Sequence, residues 1–204
     1  MTGTEPVAEF TSPTPDWTRK PTLIGDGVVL RPFVTGDAAA MAVVLDDAEL
    51  LRLTGSVESS REAAEGFAPD EGFEAWYGSR NEQDGRLDLA IVDAACGDLV
   101  GEAVLNEWNP TLRACNLRLL IGANRRDRGL GTEAVRLLTA YAIEELGLAR
   151  ITLSVFTFNP RARAVYLKVV YTDVKTIAGD LVFDGEPIDS VVMEMTSERW
   201  YAAR

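Results

Sequence analysis

The chain has 204 residues, 47% of them apolar and 25% charged, which is enough for one domain with a sizeable core. Its 32 acidic residues against 20 basic ones leave a net charge of −12, which argues against a nucleic-acid partner and favours cationic ones. Histidine is absent, so Ser-His and Cys-His nucleophilic pairs are excluded, the commonest metal ligand is missing, and no metal site is expected.

Residues 1–20 are rich in Pro and Thr, carry no periodicity and contain no apolar signal core, so they read as a flexible arm ahead of a single domain over residues 21–200. No apolar run approaches the length of a membrane span, so no membrane partner is expected and the expected location is the cytoplasm. Cys96 and Cys115 are too few for a disulfide framework and have no adjacent base. They read as two reduced, partly buried thiols rather than nucleophiles.

"GDGVVLRPF" (25–33) reads as a turn and a strand, and Asp37 as the N-cap of a helix that follows. Residues 59–80 hold helical material interrupted by Gly66 and Pro69. "GRLDLAIVD" and "GDLVGEAVLNEW" are strand-like runs joined by "AACGD", a hairpin, and "RACNLRLLIG" (113–122) is a third strand. Leu130, Ala134, Leu138, Ala142 and Leu146 then recur every four residues, which predicts a helix with one apolar stripe that stops at Gly147. "RITLSVFTF" (150–158) is a buried strand, and "NPRARAVYLKVV" (159–170) opens a short helix with an Asn N-cap and a Pro in the first turn. A closing hairpin turns at Asp184-Gly185. The order β, helices, β-β-β, helix, β, helix, β-β without internal repeats predicts an α+β fold around a mixed sheet.

"NRRDRGLGTEAVRLL" (124–138) puts three arginines and two glycines between a strand end and a helix start. Its core, Arg126-Asp127-Arg128-Gly129-Leu130-Gly131, has the spacing R-x-x-G-x-G. Glycines let main-chain N–H groups approach an anion, and the helix N-terminus adds free donors and the positive end of its dipole. A phosphate cradle is one reading. A tight turn with solvated arginines is the other. The Gly-Lys-Ser/Thr of a P-loop is absent, and a dinucleotide fold would place its glycines after the first strand of a βαβ unit rather than after three antiparallel strands.

This loop, its flanking strand and helix, the next strand and "NPRARAVYLKVVY" together resemble the GNAT acetyltransferase superfamily, over roughly residues 21–200. The pattern is most similar to the RimJ/RimL-like branch, in "RGLGTEA", "LGL.RI.L.VF.FNPRA..VY" and a late "DG...D...M". The resemblance implies a mostly antiparallel central sheet flanked by helices, with a splayed strand pair forming the cleft for acetyl-CoA. It further implies that Leu119, Leu120 and Ile121 pair with the pantetheine arm. Arg126, Asp127, Arg128, Gly129, Leu130, Gly131 and Thr132 would hold the pyrophosphate, Asn159 would touch the pantetheine, and Tyr166 would protonate the departing thiolate. As plain structure, Asn159 is a helix N-cap and Tyr166 a core aromatic. The chain departs from the pattern where relatives read Y-E-K-x-G-F: it has Tyr166-Leu167-Lys168-Val169-Val170-Tyr171, losing the acid and the glycine whose left-handed turn Val170 would resist at a cost of about 1 kcal/mol or more, so the resemblance leaves the exit from this helix open. Ala149 stands where relatives often have histidine.

The implied reaction is acetyl transfer to a primary amine, on a protein N-terminus or a small cationic molecule, by direct attack on the thioester. An alkyl amine titrates near 10.4, so about one molecule in a thousand is uncharged at neutral pH and a base is useful. Glu102 and Glu107 are the candidates, acting through water, and the Ile121 N–H could face the developing oxyanion. A catalytically weak acyl-CoA-binding regulatory module is the alternative. Either would be a monomer or a homodimer.

Overall fold

The computed structural model describes residues 14–204. The first thirteen residues of the expected arm lie outside that range. The remainder is anchored: Trp17 is buried against Trp108, and the Lys20 ammonium donates to the carbonyls of Gln83 and Arg86, both at 2.8 Å.

Eight strands form one sheet: β1 (Leu23–Ile24), β2 (Val28–Arg31), β3 (Leu87–Asp93), β4 (Leu99–Asn109), β5 (Ala114–Ile121), β6 (Arg150–Phe156), β7 (Thr172–Phe183) and β8 (Glu186–Thr196). Their spatial order is β1-β2-β3-β4-β5-β6-β8-β7, and every neighbouring pair is antiparallel except β5 and β6. Four short helices, α1 (Asp37–Leu45), α2 (Ala48–Leu53), α3 (Ser60–Glu65) and α4 (Phe73–Ser79), separate β2 from β3. The others are α5 (Leu130–Glu144) between β5 and β6, α6 (Pro160–Lys168) between β6 and β7, and α7 (Ser197–Ala202) after β8. This is the α+β architecture the element order predicts.

The hairpin turning at Asp184 and Gly185 forms because both residues adopt positive φ, 51° and 82°, which suits Asp-Gly in a two-residue turn. The expected stripe is the buried one: Leu130, Ala134, Leu138 and Ala142 of α5, and Leu146 just past its end, are all buried in the main core with Leu117, Ile151 and Leu153. Burying each large aliphatic side chain of this stripe contributes roughly 1.5–3 kcal/mol. Gly147 ends the run at φ 66°. A second, smaller core packs Met41 and Val44 of α1 and Tyr77 of α4 on the other face of the sheet, over Ala90 and Leu120.

Asp37 differs from expectation. Gly36 is the N-cap, and Asp37 is the first helical residue, its carboxylate accepting from the Arg31 guanidinium and from the Val34 N–H at 2.7 Å. The ion pair with Arg31 draws the side chain back towards β2 and away from the helix start. The thiols also part company, since Cys96 is exposed and Cys115 is buried. Burial pushes the Cys115 thiol up to about 12, so it stays protonated.

Candidate active site

β5 and β6 are paired only from Ala114 to Asn116, against Arg150 to Thr152, although β5 runs on to Ile121 and β6 to Phe156. Beyond Asn116 the two parallel strands diverge. Along a strand, successive N–H groups point to opposite sides. The Gly122 N–H donates to the Val100 carbonyl of β4 at 2.9 Å, so the Ile121 N–H points the other way, into the opening beside β6. Gly101 of β4 permits this tight β4–β5 seam, because a Cβ there would lie 2.0 Å from the Leu120 carbonyl oxygen.

The opening is the start of a cavity of about 370 Å³. Its walls come from four elements: Leu119 to Ile121 of β5; the loop and first turn of α5; Asn159 to Lys168 along α6; and Leu50, Leu53 and Thr54 at the end of α2. A volume of this size lies within the range of small-molecule and cofactor sites. Apolar side chains dominate the middle, and the polar groups gather at the two ends.

At one end is the α5 N-terminus. Gly129 caps the helix at φ 84° with no side chain accepting from the first turn, so the N–H groups of Leu130, Gly131 and Thr132 have no intrahelical partner. Glu133, the acidic residue of that turn, is directed elsewhere, since its carboxylate accepts from the main-chain N–H groups of Asp26 and Gly27. The bare donors and the positive dipole end therefore face the cavity without a competing anion from their own helix.

The arginines behave differently from the expectation that they are free for phosphate. Arg128 pairs with Asp93 at 2.6 Å and does not line the cavity; Arg125 pairs with Asp98 at 2.6 Å and with Asp93 at 3.3 Å. The Ala95 N–H and the Arg128 guanidinium hold the Asp93 carboxyl below the usual carboxylate range. Arg126 uses all three parts of its fork on the protein: Nε donates to the Ile121 carbonyl at 3.0 Å, and the two terminal nitrogens reach Glu49 and Asp47 at the start of α2. The positive charge of the loop is neutralised by acids that lie 27 to 79 residues away in sequence, which no local reading could detect.

At the other end, Asn159 Oδ1 accepts from the Ala162 N–H at 3.1 Å, capping α6 as its position predicts, while the residue also lines the cavity. Tyr166, about two turns further along, is buried, lines the same cavity, and makes no hydrogen bond through its hydroxyl among the described residues. Burial pushes its phenol well above the ordinary value, so the hydroxyl keeps its proton.

The two carboxylates are not brought to this cavity. Glu107 is exposed at φ 56° within the irregular end of β4, near the closed end of the β5–β6 pair and about 17 Å along the strand from Glu102. It does not line the cavity. Glu102 pairs with Leu120, which does line the cavity, but its carboxylate is buried under α4, where Oε2 accepts from the Tyr77 hydroxyl at 3.2 Å and lies 3.5 Å from Arg80. Burial, opposed by Arg80, raises its pKa above the ordinary carboxylate value.

Sequence reasoning missed Leu50, Leu53 and Thr54, because nothing in α2 marks it as a wall of a site formed seventy residues later. It also missed Arg161, which a cation one position after the Asn-Pro pair could have signalled.

The acetyltransferase (GNAT) domain family matches residues 28–171, which takes in β2 through the end of α6. The chain belongs to the GNAT acetyltransferases. Among curated proteins, none matches its sequence. Among solved structures, this acetyltransferase is similar to a spermidine N-acetyltransferase from Vibrio cholerae in complex with CoA and spermine, with a TM-score of 0.73 and 18% identity, covering 87% of this chain and 99% of that one. It is similar to a GCN5-related N-acetyltransferase from Brucella melitensis, with a TM-score of 0.73 and 20% identity over 93% of this chain and 85% of that one. A candidate ribosomal-protein-serine acetyltransferase from Vibrio cholerae gives a TM-score of 0.66 at 20% identity, over 90% and 99% of the two chains. At these identities the likeness establishes the fold, an eight-stranded mixed sheet opened between β5 and β6. Among the described residues no helix is long and apolar enough to cross a membrane.

Proposed function

We propose that this GNAT acetyltransferase moves an acetyl group from acetyl-CoA to a primary amine, on a small cationic molecule or a protein N-terminus. The observation that carries the reading is one cavity that joins the α5 main-chain donors and the Tyr166 hydroxyl, neither of which has a partner among the described residues. Bound acetyl-CoA supplies an acetyl group already activated as a thioester. The N–H groups of Leu130, Gly131 and Thr132 hold the pyrophosphate, and Gly129 and Gly131 keep that approach free of side chains. Leu119, Ile121 and Val165 exclude water from the arm between them. The Ile121 N–H, turned into the splay, is the donor available to the acyl carbonyl oxygen. Tyr166 gives the proton from its hydroxyl to the departing sulfur. Glu102, cross-strand from Leu120, takes up the proton of the attacking amine through water and the Tyr77 hydroxyl.

The −12 charge supports a cationic acceptor, as does the acid-rich stretch from Asp46 to Asp84 with eleven acidic and three basic residues. The spermine carried by one structural relative is of this chemical class. The test is an acceptor screen with purified protein and acetyl-CoA, reading free thiol release against polyamines, aminoalkyl compounds and peptides with free N-termini. Acceptor-dependent release by one class identifies it. Binding of CoA without acceleration by any amine would sink the amine reading.

A further inference from the structure

Arg161 stands in the first turn of α6, on the cavity wall facing the α5 loop. Its side chain is 44% exposed, and its contacts are loose: 3.6 Å to Glu49 and 3.8 Å to Asp127, beyond hydrogen-bond distance in both cases. Arg126 is its opposite. That side chain is only 10% exposed, and Ile121, Glu49 and Asp47 engage all three parts of its fork. To reach a phosphate, Arg126 would have to abandon two carboxylates and a carbonyl, whereas Arg161 would give up two weak, partly solvated contacts. Arg125 and Lys168 also line the cavity, but Arg125 is held by Asp98 at 2.6 Å and Asp93 at 3.3 Å, and Lys168 lies seven residues along α6, about 10 Å from Arg161 and away from the loop.

We infer that Arg161, not the motif residue Arg126, is the side-chain cation that meets the ligand's phosphates, and that Arg126 is a positioning residue. The inference rests on the acetyl-CoA reading above. Arg126 ties α2 to the loop, and α2 contributes Leu50 and Leu53 to the apolar wall that any pantetheine-bearing ligand would share. Glu49 touches both arginines, so it holds Arg161 near the loop while leaving its fork open. The roles separate by ligand. Arg161 contributes only where phosphates are present, and Arg126 contributes through the wall whether they are present or not.

The experiment measures the affinity of the wild type, Arg161→Gln and Arg126→Gln for CoA and for phosphate-free S-acetylpantetheine, by calorimetry and ligand-observed NMR, at low and raised salt. Arg161→Gln, an exposed change, is expected to weaken CoA about tenfold, to leave S-acetylpantetheine within about twofold and to flatten the salt dependence. Arg126→Gln is expected to weaken both ligands by the same factor. An unchanged CoA affinity in Arg161→Gln, an equal loss for both ligands there, or a CoA-selective loss in Arg126→Gln overturns the assignment. A wild type that binds neither ligand overturns the acetyl-CoA reading itself, an outcome distinct from any change confined to the variants.

Discussion

The rings of Tyr166 and Tyr171 stand 5.9 Å apart at 55°, yet among the described residues only the Tyr171 hydroxyl has a hydrogen-bond partner, the Thr139 hydroxyl at 2.9 Å. Two buried tyrosines five residues apart are therefore predicted to respond differently to substitution. Tyr171→Phe would leave the fully buried Thr139 hydroxyl unpaired and should cost about 1–3 kcal/mol in denaturant unfolding, with turnover little changed. Tyr166→Phe removes no hydrogen bond among the described residues. It should leave stability and acetyl-CoA affinity near wild type while lowering kcat about a hundredfold. Wild-type kcat in Tyr166→Phe would make Tyr166 a core residue only.

Gly131 offers a clean probe of the loop. A Cβ there would meet Leu119 at 3.4 Å and Ile121 at 3.6 Å, both ordinary contacts, so Gly131→Ala should fold and keep measurable binding. Gly131→Glu should also fold, since an acid in the first turn suits the helix dipole. Its carboxylate would nevertheless occupy and repel the pyrophosphate position, so titration calorimetry should detect no acetyl-CoA binding. Unchanged affinity in a folded Gly131→Glu would remove the loop from the binding site.

Glu102 can be tested by its pH signature. A base works only when ionised, and burial raises the pKa of this carboxyl. The wild-type kcat/KM for an amine should therefore rise with pH along a limb placed above the ordinary carboxylate range, about 4.3. Glu102→Gln should lower kcat/KM and erase that limb, while the separate rise from deprotonation of the acceptor amine remains. If the limb survives and only stability falls, Glu102 belongs solely to the buried network with Arg80, Tyr77 and Asp88.

Val170 sits at φ 69°, the left-handed conformation that β-branched residues resist. It is 42% exposed, so little apolar burial is at stake. Val170→Gly should stabilise the protein by about 1 kcal/mol, which is roughly 2–4 °C in Tm for a domain of this size. A lower Tm would mean that Val170 contributes packing greater than its backbone strain.

The resistance of Val170 to a left-handed helix exit was legible through the resemblance, which puts a glycine at that position, and the structure holds Val170 in that conformation at φ 69°. The Asn159 cap, the apolar stripe of α5, the Asp184-Gly185 turn and the order of strands and helices were legible in the letters. Each follows from periodicity, turn chemistry or capping within a dozen residues. Asp37 shows where local rules fail: Arg31, on the preceding strand, decides its contacts, and the residue shifts out of the cap.

By itself, the sequence determined an α+β chain without histidine chemistry, a glycine-bared helix start and a tyrosine at the matching place on a later helix. Only the tertiary structure decided what those features meet. Sheet pairing ends at Asn116 and opens the cleft; α2 arrives to form its far wall; Asp47, Glu49, Asp93 and Asp98 take up the loop arginines; and Glu107 sits at the irregular end of β4, off the cavity wall. The reason is physical range. Backbone conformation is set by neighbours along the chain, whereas the pairing of charges and the walls of a cavity are set by groups that only folding brings within a few ångströms of one another.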